Sequence, residues 1–251
     1  MNNRTVLITG ASSGIGFAAA RKFAQQNYKL ILLARQEDKL IYAKENLSTP
    51  TYIIKTDISD LTSLRHQLEN LPAEFKDIDV LVNNAGVTLG EGPIEDRNIA
   101  DLEKMVSVNI NGLLYCTQII LPLMVKRNSG HIINIGSTAG TYPRPGNPLY
   151  CASKAFSKQF SLALRADLTG KKIRVTSIEP GTVKGTDLAL GRVGGDRARL
   201  NALYEGYEYL NPEDVAETIF WAASLPEHVN INRIDVMATC QSFSNLTNVR
   251  A

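Results

Sequence analysis

Short apolar runs alternate with longer helical stretches along all 251 residues, and this rhythm constrains the fold more than any other feature of the chain. Residues 5–9 (TVLIT), 29–34 (KLILLA), 52–57, 79–82, 131–136, 173–179 and 233–237 read as strands. Most are continuous apolar runs rather than alternating ones, as expected of strands buried on both faces. Residues 14–26, 37–47, 61–70, 99–127, 150–169 and 212–224 read as the helices between them. Parallel strands need long crossovers, so the pattern predicts an α/β fold: a doubly wound, seven-stranded parallel sheet with helices on both faces. No linker or repeat divides the chain, and residues 1–251 read as a single domain. Only residues 182–210 break the rhythm. They are rich in Gly, Arg and Asp, with scattered Leu and Tyr, and read as a substrate loop within the domain.

Composition removes several function classes. Lys and Arg total 27 against 25 Asp and Glu, a net charge of +2. That balance does not suit a nucleic-acid binder, which needs a basic surplus. Cys116, Cys151 and Cys240 are odd in number and far apart, so they form neither a disulfide framework nor a metal-binding pair. They read as small buried thiols. His66, His131 and His228 have no ligand spacing, and no metal is expected. His66 on a helix and His131 opening a strand read as surface or edge residues. The stretch after Met1-Asn2-Asn3-Arg4 reads as a strand rather than as the apolar region of a signal peptide, so none is expected. The most apolar stretch, residues 113–125, contains Thr117, Gln118 and Pro122 and falls short of the ~20 residues of a membrane span. The sequons at Asn46 and Asn245 then carry no sugar. The expectation is a cytoplasmic protein that binds a small molecule, with neither nucleic acid nor membrane as partner.

The first strand runs into Gly10-Ala11-Ser12-Ser13-Gly14-Ile15-Gly16 and then a helix. Glycines at this spacing let the backbone turn tightly and approach a pyrophosphate, which the helix N-terminus attracts. At the end of the second strand, where an acidic residue would bind the adenosine ribose of NAD, stands Arg35. An arginine there suits the 2′-phosphate of NADP. Glu37 and Asp38 read as acids in a first helical turn.

Tyr150 and Lys154 lie four residues apart and share a helix face. A free tyrosine has a pKa of about 10. A lysine ammonium nearby favours the phenolate and is expected to make Tyr150 a general acid/base. Ser137, after the strand 131–136, would meet Tyr150 across the crevice at the strand C-termini. Asn83-Asn84-Ala85-Gly86 follows the fourth strand, Asn109 lies in the long helix, and Pro180-Gly181 follows the sixth strand.

With these motifs in this order, the chain resembles the short-chain dehydrogenase/reductase family over essentially its whole length. The resemblance implies a single Rossmann domain and an oxidoreductase acting on CH–OH groups. The family's catalytic tetrad falls on Asn109, Ser137, Tyr150 and Lys154. Ser137 would orient the substrate oxygen and Tyr150 exchange its proton. Lys154 would hold the nicotinamide ribose. Asn109 would kink its helix and place a proton-relaying water. The family's cofactor contacts fall on Gly10, Ser12, Ser13, Gly14, Ile15, Arg35, Asp57, Ile58, Asn84, Ala85, Gly86, Tyr150, Lys154, Pro180, Gly181 and Val183. Asp57 and Ile58 would reach the adenine, and Thr186 the carboxamide.

Residues 134–140, 178–183, 225–232 and 71–74 are similar to the NADP-dependent 3-hydroxy acid dehydrogenase branch, which includes serine and L-allo-threonine dehydrogenases. That branch implies short 3-hydroxy acids or malonic semialdehyde as substrates. A carboxylate needs a cationic receptor. The candidates are Arg144, before Tyr150, and Lys184, Arg192, Arg197 and Arg199 in residues 182–210. The departures within 182–210, notably Gly191-Arg192-Val193-Gly194-Gly195, suit a broad carbonyl reductase equally. A β-ketoacyl reductase would need a basic dock for an acidic carrier, and a dinucleotide-binding regulator without catalysis would not need the tetrad. The family's habit implies a homotetramer, with residues 99–127 and 150–169 at the larger interface and the tail, including Phe243 and Leu246, packed on a neighbour.

Overall fold

The computed structural model describes residues 4–243; residues 1–3 and 244–251, with Leu246 and the second sequon, lie outside the described residues. The seven apolar runs form β1 (Thr5–Thr9), β2 (Lys29–Ala34), β3 (Thr51–Lys55), β4 (Ile78–Asn83), β5 (Gly130–Ile135), β6 (Ile173–Pro180) and β7 (Arg233–Val236). They make one parallel sheet in the order β3-β2-β1-β4-β5-β6-β7. The order reverses between β1 and β4, which opens a crevice at the strand C-termini.

Every residue of β1 and of β6 is buried. The reason is a separate apolar layer on each face. On one side α1 (Gly14–Gln25) and α9 (Pro212–Ser224) pack Phe23, Val215 and Ile219 against Val6, Ile8, Leu30 and Leu32. On the other, α3 (Leu61–Glu69) and α5 (Leu113–Arg127) pack Leu64, Cys116 and Ile120 against Leu7, Ile31, Leu81 and Ile132. Each fully buried side chain of this kind contributes about 1.5–3 kcal/mol. Successive strand residues serve opposite layers, so both faces must be apolar.

Helix ends follow local chemistry. The Asp60 carboxylate accepts from Ser63 N at 3.0 Å and starts α3. Asn211 and Asp214 form a reciprocal cap, with Pro212 at the first helical position, and start α9. Pro148 opens α6 (Pro148–Asp167), the helix carrying Tyr150 and Lys154. The helix α2 (Glu37–Glu45) has Glu37 and Asp38 in its first turn, as its sequence predicts.

Four expectations need correction. The run 99–127 is not a uniform α-helix: α4 (Ile99–Val106) leads into a π-helical segment, Ser107–Gly112, and then α5. This wider turn is the local distortion anticipated around Asn109. Counted as one helix of 29 residues, Ile99–Arg127 is also long and apolar enough to cross a membrane, which the shorter stretch 113–125 hid. Half of its most apolar window is buried inside the fold, and the sheet accounts for that apolarity. Residues 182–210 are not a bare loop either. They carry α7 (Asp187–Arg192) and α8 (Arg197–Tyr204), and a parallel bridge between Val183 and Leu210 closes their base. Finally, His131 is not at the surface. It is only 1% exposed, and its Nε2 lies 2.8 Å from the Thr176 hydroxyl. Opening a central strand places it under the sheet's own layers.

Candidate active site

The strand C-termini, the start of α6 and residues 182–210 enclose a cleft of about 1320 Å³. All the predicted site residues line it except Asn109. Among the charged candidates, Arg144, Arg192 and Arg197 line it, while Lys184 and Arg199 do not.

The glycine turn forms one end. Gly10 and Gly14 have φ of +66° and +52°, a region open to glycine at little cost. A Cβ on Gly16 would overlap the Gly10 carbonyl, so the turn can close only on a glycine. Asn84 braces it by donating to Thr9 O at 2.9 Å and Gly10 O at 3.2 Å. Ser13, at the N-terminus of α1, makes no side-chain cap, and the first turn carries no acid. The N–H groups there are thus left to an anion. Arg35 and Lys39 stand beside them on the cleft wall. Lys39 is a residue that sequence reasoning missed, since a lysine in a first helical turn has no signature.

Asp57 and Ile58 lie further along the wall. The Asp57 carboxylate accepts from Ser59 N and Oγ and from Lys104 Nζ at 2.8 Å. Burial works to raise its pKa, but these donors outweigh burial and hold it at about 2. Ile58 packs on Gly112, where a Cβ would lie 2.8 Å from Cγ2.

The floor of the cleft is built around Lys154. The residue is 5% exposed, and its Nζ donates to Ile135 O at 2.8 Å. Asn109 is equally buried. Its Oδ1 accepts from Val87 N at 2.8 Å, and its Nδ2 donates to Val87 O at 2.9 Å and Ser153 Oγ at 3.1 Å. Asn109 therefore sits behind the cleft and locks the Asn84–Val87 turn against the π-helical segment. Gly86 borders this crossing: a Cβ there would lie 3.5 Å from both Asn109 Oδ1 and Lys154 Nζ, an ordinary contact. Ser137 follows β5, and its hydroxyl accepts from Ala139 N at 3.2 Å.

The electrostatics differ from the simple expectation for Tyr150. Burial pushes the phenol up from its ordinary value, and the Ser137 hydroxyl and the Arg144 charge pull against that. Burial also pushes Lys154 down to about 8, opposed by the charge of Glu179. The ammonium lies 5.8 Å from the Tyr150 ring centre. In the protein's own field, desolvation outweighs the attraction predicted from the four-residue spacing.

Beyond Tyr150 the wall is cationic. The Arg144 guanidinium makes no hydrogen bond or ion pair with a described residue, and burial beside Arg192 lowers its pKa. Its backbone is tacked to α6 through Cys151, whose Sγ lies 3.4 Å from Arg144 N. Arg192 Nε lies 3.5 Å from Glu91, whose other oxygen pairs with Arg199. Glu91 is a further residue missed by sequence reasoning, while Cys151 is the buried thiol that the sequence predicts. Among the described residues no group of three His, Cys, Asp or Glu could hold a metal.

The same order of motifs decides the family. The short chain dehydrogenase family profile matches residues 4–193. The chain is a short-chain dehydrogenase. It is 46% identical over 241 residues to the NADP-dependent 3-hydroxy acid dehydrogenase YdfG of Escherichia coli, covering 96% of this chain and 97% of that protein. It is 44% identical over 242 residues to sulfoacetaldehyde reductase 2 of Chromohalobacter salexigens, covering 95% and 96%. Among solved structures, the closed form of serine dehydrogenase complexed with NADP+ superposes with a TM-score of 0.94 at 44% identity, covering 98% of this chain and all of that one. This short-chain dehydrogenase is accordingly an oxidoreductase with the α/β fold its sequence predicts.

Proposed function

We propose that the chain transfers hydride between NADP(H) and the 3-hydroxyl or 3-keto group of a short 3-hydroxy acid, of the serine, L-allo-threonine or 3-hydroxypropionate type. The observation that carries this reading is one cleft with three separate chemistries. A bare helix N-terminus with Arg35 and Lys39 lies at one end, Ser137, Tyr150 and Lys154 on the floor, and Arg144 with Arg192 beyond them. The family and the NADP-dependent relatives support the cofactor.

The residues fit a dinucleotide. The uncapped N-terminus of α1, reached across Gly10, Ser12, Ser13, Gly14 and Ile15, takes the pyrophosphate. Arg35 and Lys39 take the 2′-phosphate, which favours NADP over NAD. Asp57 and Ile58 border the adenine, and Asn84, Ala85, Gly86, Pro180, Gly181, Val183 and Thr186 border the nicotinamide half. When bound, the nicotinamide supplies a hydride acceptor or donor at its C4.

The chain's own residues handle the substrate oxygen and its proton. Ser137 orients the oxygen, and Tyr150 accepts its proton on oxidation or returns it on reduction. Lys154 holds the ribose and gives the Tyr150 phenolate a cationic neighbour. Asn109 holds the Val87 backbone and fixes the distorted helix behind Lys154. Arg144 and Arg192 receive the substrate carboxylate.

A second reading, a broad carbonyl reductase, is favoured by Tyr142, Leu188, Leu190, Leu203 and Phe243 on the outer cleft wall, where Tyr142 stacks on Phe243 at 5.5 Å. A panel with saturating NADP(H) separates the two. L-serine, L-allo-threonine, 3-hydroxypropionate and malonic semialdehyde should turn over faster than neutral ketones. The reverse ranking would make it a ketone reductase.

Assembly as a homotetramer is part of the proposal. Leu123 and Val125 on α5 and Leu162 on α6 are exposed apolar residues suited to subunit contact. A cytoplasmic location accords with the free thiols of Cys116, Cys151 and Cys240.

A further inference from the structure

Glu179 ends the sixth strand's apolar run with a carboxylate that is 0% exposed. A buried carboxylate is costly unless it is fully hydrogen-bonded. Glu179 has two donors. Ser137 N donates to Oε2 at 2.7 Å, and the Ser177 hydroxyl donates to Oε1 at 2.5 Å. Space for the carboxylate comes from Gly136, where any Cβ would overlap it. Gly136 N itself donates to Ile178 O at 2.7 Å. The carboxylate thus reaches through the gap left by one residue to hold the backbone of the next.

Charged groups meet Glu179 from two elements. From α6 come Lys154, attracted to the carboxylate, and Tyr150, with Arg144 beyond it. From β7 comes Arg233, also attracted, which pairs with Asp235, the residue in register with Glu179. Ser137 and Ser177 are neutral.

We propose that Glu179 is a positioning residue for the reaction, fixing Ser137 through its backbone N–H and setting the proton affinity of the Tyr150–Lys154 pair. This rests on the reading of Ser137, Tyr150 and Lys154 given above. Burial pushes the Glu179 carboxyl above its ordinary value, while the Ser177 and Ser137 donors and the Lys154 and Arg233 charges pull against that. The proposal takes the carboxylate as ionised across pH 6 to 10. A fixed negative charge favours the protonated form of each neighbouring group. Closely spaced groups titrate as a pair, so removing that charge lowers both of the pair's apparent pKa values, whichever residue gives up its proton first. The directions agree: the Glu179 charge works to raise Lys154 and Tyr150 alike.

Glu179→Gln separates charge from shape. The amide oxygen still accepts from Ser137 N, and the amide N–H donates to a rotated Ser177 hydroxyl. The test is kcat/KM for 3-hydroxypropionate oxidation at saturating NADP+ from pH 6 to 10, on the full chain. Glu179→Gln should shift the ionisation limb to lower pH by about one unit, with the KM for NADP+ within about twofold of the parent. Glu179→Asp keeps the charge but retracts it from Ser137. It should leave the limb in place and lower kcat about tenfold or more. A Glu179→Gln profile that superimposes on the parent overturns the proposal, as does a limb moved upward. Tyr150→Phe is the control for the reading beneath it. If that variant keeps parental turnover, the assignment of the proton-transfer residues has failed. If it is inactive while the Glu179→Gln profile is unmoved, only the role of Glu179 has failed.

Discussion

The floor of the cleft and its outer rim are built on opposite principles. On the floor, Asn109 makes three hydrogen bonds, Lys154 is anchored to Ile135 O, and Glu179 holds two donors, all almost wholly buried. At the rim, the Arg144 guanidinium makes no hydrogen bond or ion pair with a described residue, and Arg192 and Arg199 share the single carboxylate of Glu91. Proton and hydride transfer need fixed geometry, which dense burial supplies. Choice of substrate needs charge held in reserve for a ligand. On the function proposed above, the difference assigns the reaction to the strand ends and the choice of substrate to residues 144 and 182–210.

The rim is not simply loose. Ser13 Oγ donates to Asp187 at 2.9 Å, and Lys39 pairs with the same carboxylate at 3.2 Å. Gly90 N donates to Gly191 O at 3.0 Å. These are exposed or edge contacts, each of small worth. They tie residues 182–210 to both walls of the cleft, and buried Val183, Val193, Leu200 and Tyr209 anchor the segment beneath.

If the floor carries the chemistry, Tyr150→Phe should lower kcat by about 10²–10⁴ in NADPH-coupled assays while the melting midpoint stays within a few degrees of the parent. Retained turnover would break the comparison at its root. Next in size, Arg35→Asp should raise the KM for NADPH by roughly 10² and change that for NADH much less, because it removes the partner of the 2′-phosphate. Equal losses for both cofactors would refute that role. At the rim, Arg144→Leu should raise KM for 3-hydroxy acids about 10–100-fold and leave neutral ketones within about twofold. A matching loss on ketones would assign Arg144 to the structure of the floor. The smallest effect is expected for Arg199→Ala. Its side chain is 53% exposed and lies outside the cleft, so kcat/KM should change less than about twofold.

Much of the floor was legible in the sequence because local rules govern it. Continuous apolar runs gave the buried strands, and the glycine spacing gave the turn before α1. The four-residue interval placed Tyr150 and Lys154 together. What stayed hidden depends on pairs distant in sequence. Glu179 reads as one acid before Pro180-Gly181, and only its contact with Ser137, 42 residues away, shows its use. His131 looked like an edge residue because strand order, not strand sequence, buries it. Among five cationic candidates for the carboxylate, sequence could not choose. The fold places Arg144, Arg192 and Arg197 on the cleft wall and leaves Lys184 and Arg199 outside it. The expected effect of Lys154 on Tyr150 also depended on burial, which spacing does not report.

The central claim is an oxidoreductase that recognises its substrate by an acid group at the rim. The most direct test compares kcat/KM for 3-hydroxypropionate with that for its methyl ester, at saturating NADP+. The two share the reacting hydroxyl and differ in the charge offered to Arg144 and Arg192. The acid should be preferred about 10–100-fold, the worth of one charge-assisted pair, and Arg144→Leu should erase most of that preference. Equal rates, or a preference for the ester, would contradict the account.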